Sequence, residues 1–166
     1  MPDVRLLPAT VEHLVALQTD PPAFARLIGS PVPDGWPQFP ESIDFTIARL
    51  REHPDQAEWW MYFFLLPDTT LIGSGGYVGP PQDGVVEFGY EVAPAFRGKG
   101  LGVAVAKAMV DKATATGQVS TVIAHTLSNE NPSTGVLRHL GFAKSAQLVD
   151  PEDGPIWRWE LPLTAC

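Results

Sequence analysis

The sequence predicts an α/β domain: a mixed, mostly antiparallel central sheet with helices on both faces. Three observations point that way. Stretches of helical period fill the first third, three β-rich runs with short connections fill the middle, and a strand–helix–strand unit follows over 85–127. With 166 residues and 45% apolar content, the chain can bury one core and reads as one domain, 1–166.

Residues 4–7 read as a short strand, and Thr10 can cap a helix over 11–18 with Leu14 and Leu17 facing inward. A second helix over 23–28 ends at Gly29. The next eleven residues hold four prolines beside Trp36 and Phe39, an ordered loop because proline fixes φ and donates no hydrogen bond. Residues 42–53 are helical by spacing, with Ile43, Ile47 and Leu50 on one side. The runs 59–66, 71–78 and 85–93 form an antiparallel meander. A helix over 101–116 carries one polar stripe of Lys107, Asp111 and Thr114, and Gly117 stops it. Strand 119–127 follows, parallel to 85–93 through a right-handed crossover. A helix over 132–140 and strands 143–149 and 157–163 complete the domain.

The most informative stretch is Phe96-Arg97-Gly98-Lys99-Gly100-Leu101-Gly102, where a strand gives way to a helix. Glycine in a helix's first turn costs about 1 kcal/mol relative to alanine. Such residues are kept where φ must be positive or a ligand comes close. A helix N-terminus presents unpaired N–H groups and a positive dipole end, so the expected guest is a phosphate. Two better-known glycine motifs are excluded. A Walker A loop needs Ser or Thr after Gly-Lys, and Lys99 is followed by Gly100. A dinucleotide fingerprint needs a third glycine where this chain has Val103 or Val105.

What fits is Arg-x-x-Gly-x-Gly, as Arg97, Gly100 and Gly102, which resembles the pyrophosphate signature of the GNAT acetyltransferase superfamily. The strand Val86-Glu87-Phe88-Gly89-Tyr90-Glu91-Val92-Ala93-Pro94 is similar to the one before that loop. Asn131-Pro132-Ser133 leading into Leu140-Gly141-Phe142 is similar to the family's second motif. The resemblance spans 85–142 in the right order, and its style is nearest the ribosomal-protein N-terminal acetyltransferase-like (RimJ/RimL-type) branch.

The resemblance implies the GNAT acyl-CoA N-acyltransferase fold with a splayed parallel strand pair. Residues 1–84 would be the N-terminal half with acceptor-side helices and loop, 85–142 the acetyl-CoA-binding core, and 143–166 the C-terminal strands. It implies an N-acetyltransferase that moves the acetyl group of acetyl-CoA, a co-substrate, to a primary amine by direct attack in a ternary complex, without a metal. Amides of Gly98, Lys99, Gly100, Leu101 and Gly102 would bind the pyrophosphate, with charge from Arg97 and Lys99. Val92 and Ala93 would pair with the pantetheine arm as it inserts beside the strand.

Alternation puts Glu87, Gly89 and Glu91 on one face, and a bulge at Gly89 would send Glu91 to the other. The resemblance makes Glu87 the first choice for accepting the amine's proton and Glu91 the second. Many members supply the leaving thiolate's proton from a tyrosine, and the matching position here is Leu137. That departure leaves Ser133, His125, Tyr90 or a water, and it keeps open a non-catalytic acyl-CoA-sensing module of the same fold. A domain whose glycines are only structural is the third reading. Asn131 would bond the pantetheine or cap its helix. On the acceptor side, Trp36, Phe39, Trp59 and Tyr62 would form an aromatic wall, with Asp34 or Glu41 attracting an ammonium.

A net charge of −8 and a pI near 4.8 argue against a nucleic-acid partner and suit a cationic small-molecule or peptide amine acceptor. The one cysteine, Cys166, excludes a disulfide framework and fits a cytoplasmic setting. No apolar run reaches the ~18 residues a membrane span needs, and no signal-peptide pattern opens the chain, so no membrane is expected. A terminal strand at the sheet edge leaves room for a homodimer.

Overall fold

The computed structural model describes residues 3–163; Cys166 lies outside them. The chain begins with β1 (Arg5–Pro8), α1 (Val11–Thr19), α2 (Pro21–Ile28) and α3 (Glu41–Glu52). The meander β2 (Met61–Leu65), β3 (Leu71–Tyr77) and β4 (Val85–Val92) follows. Then come α4 (Leu101–Ala115), β5 (Thr121–Leu127), α5 (Pro132–His139), β6 (Ala143–Asp150) and β7 (Gly154–Pro162). Every element read from the sequence is present, with ends shifted by three residues at most. Two short 3₁₀ turns, Pro54–Trp59 and Pro94–Phe96, are additional.

Local chemistry explains the helix ends. Thr10 Oγ1 accepts from His13 N (3.1 Å) to start α1. Asp20 caps α2, whose first two residues are prolines that lack the donor a first turn leaves unused. Gly29 closes α2 in the left-handed region (φ 83°).

The seven strands form one sheet in the order β1-β2-β3-β4-β5-β7-β6. All neighbours are antiparallel except β4 and β5. β2 is buried on both faces: Met61, Phe63 and Leu65 pack with Leu14, Phe24 and Ile47 of α1–α3, while Tyr62 and Phe64 pack with the α4 core of Val105 and Met109. Fully burying one such side chain contributes about 1.5–3 kcal/mol, so this strand holds both layers together.

The feature that positions the site is a fork in the sheet. β4 pairs with β5 only over Val85↔Thr121, Val86↔Val122 and Glu87↔Ile123. Beyond that point β4 stays with β3 as far as Val92, while β5 stays with β7 as far as Leu127. A gap therefore opens after Glu87, as the splayed pair requires. The ladder between β3 and β4 is regular across Gly76↔Gly89, so the bulge considered at Gly89 is absent. Glu87, Gly89 and Glu91 consequently share one face, and Phe88, Tyr90 and Val92 share the α4 face.

Candidate active site

At the wide end of the fork, the chain makes a 3₁₀ turn over Pro94–Phe96 and then runs through Gly98 (φ 74°) and Gly100 (φ 76°) into α4. Both glycines occupy the left-handed region, where a side chain costs roughly 1–2 kcal/mol. Gly102, inside the first turn, lets α4 sit close to α5: a Cβ there would stand 3.3 Å from the Val136 side chain, which would have to shift by a few tenths of an ångström. The result is a run of free donors. Arg97 N donates to Pro94 O and Ala104 N to Gly100 O, but none of the six amides from Gly98 to Val103 has an acceptor among the described residues. Arg97 Nε donates to Val92 O (3.0 Å), tying the turn to the end of β4, and Lys99 Nζ lies 5.9 Å from the centre of the Phe96 ring. Leu101 anchors the turn by burying its side chain in the α4 core. This arrangement fits a diphosphate: a run of free amides, a dipole end and two cations.

The backbone of β4 supplies the next donors, with one correction. Ala93 N donates to Ile72 O and Ala93 O accepts from Phe96 N, so Ala93 has nothing left for a ligand. Antiparallel strands alternate between bonded and non-bonded pairs. Since Ala93 N bonds Ile72 and Val78 N bonds Glu87, the main-chain groups of Val92 and Tyr90 point away from β3 into the gap. Val92 and Tyr90, rather than Ala93, are thus the β4 residues whose main-chain groups face the gap.

Glu87 stands at the vertex of the fork. Its Oε2 lies 3.1 Å from Nδ1 of His125 on β5, both half-buried on the face opposite α4. His125, one of the candidate proton donors, is thus bonded to the candidate base. Glu91 lies four residues on, about 13 Å along the strand, too far to share one proton with Glu87. Its Oε1 accepts from Gln38 N (2.9 Å) in the proline-rich loop, and burial pushes its carboxyl above the usual carboxylate value against the pull of that amide and of Arg97. Glu91 therefore serves as the loop's anchor.

On the α4 face, Ser133 is exposed in the first turn of α5. Asn131 is committed elsewhere: Oδ1 accepts from Thr134 N (3.1 Å) and Nδ2 donates to Asn129, so it caps α5 and the pantetheine role is withdrawn. Leu137 is wholly inside the core.

The aromatic wall is the largest correction. Trp36 is 5% exposed, wedged against Phe24 and Phe63, and its Nε1 donates to Ser74 Oγ (2.9 Å). Tyr62 is 1% exposed on the opposite side of the sheet, donating to Glu58 O under Lys112. Trp59 is buried in that same α4-side core. Only Phe39, 55% exposed, remains available to an acceptor. Burial drove these aromatics inward, and composition does not distinguish a lining ring from a core ring. A surface hollow bounded by Leu17, Pro37, Pro40, Ile43 and Asp44 shares no residue with the fork or the glycine turn. Sequence reading missed Gln38 and Ser74, which have no motif and acquire meaning only through partners 53 and 38 residues away.

The Acetyltransferase (GNAT) domain family matches residues 3–143 of this chain. Among solved structures, a RimL ribosomal L7/L12 alpha-N-protein acetyltransferase in complex with coenzyme A is 14% identical, with 97% of this chain and 94% of that one aligned (TM-score 0.69). A Salmonella typhimurium acetyl transferase that modifies the N-terminal serine of 50S ribosomal subunit protein L7/L12 is 13% identical over 98% and 96% (TM-score 0.68). The dodecameric spermidine N-acetyltransferase from Vibrio cholerae is 15% identical over 96% and 94% (TM-score 0.70). At these identities the likeness is one of fold. No curated protein matches the chain by sequence. Among the described residues, no helix is long and apolar enough to cross a membrane.

Proposed function

The chain belongs to the GNAT acetyltransferase family and is an acyltransferase; we propose that it moves the acetyl group of acetyl-CoA to a primary amine by direct attack within a ternary complex. The observation that carries this reading is the row of unbonded amides from Gly98 to Val103 beside a sheet forked at Glu87. Acetyl-CoA supplies an activated acyl carbon on a thiol leaving group; the protein's residues do the rest. The turn at 98–103, with Arg97 and Lys99, holds the diphosphate. The outward N–H of Val92, whose carbonyl is already bonded to Arg97, and the outward N–H and C=O of Tyr90 hold the amides of the arm, and an N–H in that row stabilises negative charge on the acyl oxygen. Glu87, oriented by His125, takes the proton the amine must lose. Glu91 is set aside as the base because Gln38 already occupies it.

The acceptor is an amine on a small molecule or peptide, approaching the face that carries Glu87 and Phe39. The similar structures include enzymes of both kinds, acting on a protein N-terminus and on spermidine. A negative overall charge favours a cationic acceptor. The reaction needs no metal, and the chain's setting is read as cytoplasmic.

A thermal-shift and thiol-release screen crossing several acyl-CoAs with a panel of amines tests this. The expected result is a higher Tm with CoA and thiol release from acetyl-CoA only when an amine is added. Tight CoA binding with no turnover on any amine would leave the sensing module as the better reading.

A further inference from the structure

Leu137 leaves this chain without an obvious group to protonate the departing sulfur, and one side chain in the gap carries a hydroxyl that packing does not explain. The hydroxyl of Tyr90 is buried and has no hydrogen-bond partner among the described residues. Ser133 is the polar side chain within its reach, yet the two form no bond of ordinary geometry. A buried hydroxyl without a partner costs about 1–3 kcal/mol, so it calls for a reason beyond folding.

The position of Tyr90 supplies that reason. It lies three residues past the last pair joining β4 to β5, about 10 Å into the gap. Its main-chain groups face the gap and its ring turns to the α4 and α5 side. The ring is held by stacking on Phe88 (5.9 Å), itself stacked on Phe142 (5.8 Å), so the hydroxyl is fixed against the first turn of α5. Glu87 and His125 occupy the other face. The fork thus separates a proton-accepting side from a proton-donating side.

We propose that Tyr90 is the catalytic acid of this enzyme, giving its phenolic proton to the coenzyme's sulfur. The inference rests on the acetyl-transfer reading above. As the amine nitrogen forms its bond to the acyl carbon and the C–S bond breaks, the sulfur takes the electron pair and the Tyr90 proton, while Glu87 takes the proton from nitrogen. Tyr90 is restored by a proton from water, and Glu87 returns one to water. Burial pushes the phenol up to about 12, so it carries its proton throughout the neutral range. A thiolate excluded from water in the same gap is a stronger base than the ~8.5 of a free thiol implies.

The test compares Tyr90→Phe with wild type in three measurements. Without ligand, Tm should be unchanged or higher, because the change removes an unpartnered hydroxyl and keeps the stacked ring. The Kd for CoA, by calorimetry, should stay within about twofold, and kcat should fall about 100-fold, the lower end for general acid catalysis. Placing 3-fluorotyrosine at position 90 should restore much of kcat. An unchanged kcat would overturn the proposal. So would a weakened Kd with kcat intact, which would make Tyr90 a contact to the arm, or a lowered Tm with parallel loss of kcat, which would make it structural. If wild type binds CoA but acetylates no amine, the acetyl-transfer reading falls and takes this role with it. An active wild type and an equally active variant would sink only the role of Tyr90.

Discussion

The glycine turn and the proline-rich loop flank the same fork in the sheet, yet they are built on opposite principles. The turn is set by backbone conformation: two left-handed glycines, a helix start and a row of amides within six residues. The loop is held by side chains reaching across the fold, Trp36 to Ser74 and Gln38 to Glu91. Local backbone geometry survives change in everything around it. Long-range side-chain contacts change whenever either partner does.

Gly100→Asp should have the largest effect. It places a negative charge on the proposed diphosphate seat and a side chain at φ 76°, while an acidic group at a helix start favours α4 itself. Calorimetry should show CoA affinity reduced by about 100-fold, near 2.7 kcal/mol, with the fold retained. Retained affinity would mean that this turn is not the seat.

Glu87→Gln probes the vertex shared by both regions. The amide still reaches His125 but no longer accepts a proton, so kcat/KM should fall about 100-fold with the Kd for CoA unchanged. A change in CoA affinity of similar size would show that the vertex belongs to the seat.

Trp36→Phe acts on the loop alone. It leaves the Ser74 hydroxyl buried without its donor, at about 1–3 kcal/mol, or roughly 2–10 °C in Tm. CoA affinity should not move. If it does, the two flanks are coupled and the contrast between them fails.

The smallest effect concerns Glu91. Burial raises its pKa in the folded protein, so the native state binds that proton more tightly than the unfolded chain does. Stability therefore falls as pH rises from the ordinary carboxylate value through the raised one. Above that window Glu91→Gln should match or slightly exceed wild type in Tm, since the amide oxygen still accepts from Gln38 N. Below the window the gain should vanish. A variant that is less stable at neutral pH would show that the carboxylate's charge, and not merely its oxygen, holds the loop.

Helix starts, strand periodicity, turns and the glycine-rich entry to α4 were all legible in the chain, because each depends on residues within one or two turns of one another. Thr10, Gly29, Gly98 and Gly100 meet local demands that any fold containing them must satisfy. Tertiary structure decided which of two plausible roles each ambiguous side chain took. Trp36 and Tyr62 went to opposite cores because β2 is buried on both faces, Glu91 was claimed by a loop amide, and Ala93 turned to β3 while Tyr90 faced the gap because strand register, not residue type, sets the direction of an N–H. Sequence determines conformation through near neighbours, but availability depends on what packs against a group, and that is settled only when distant segments meet.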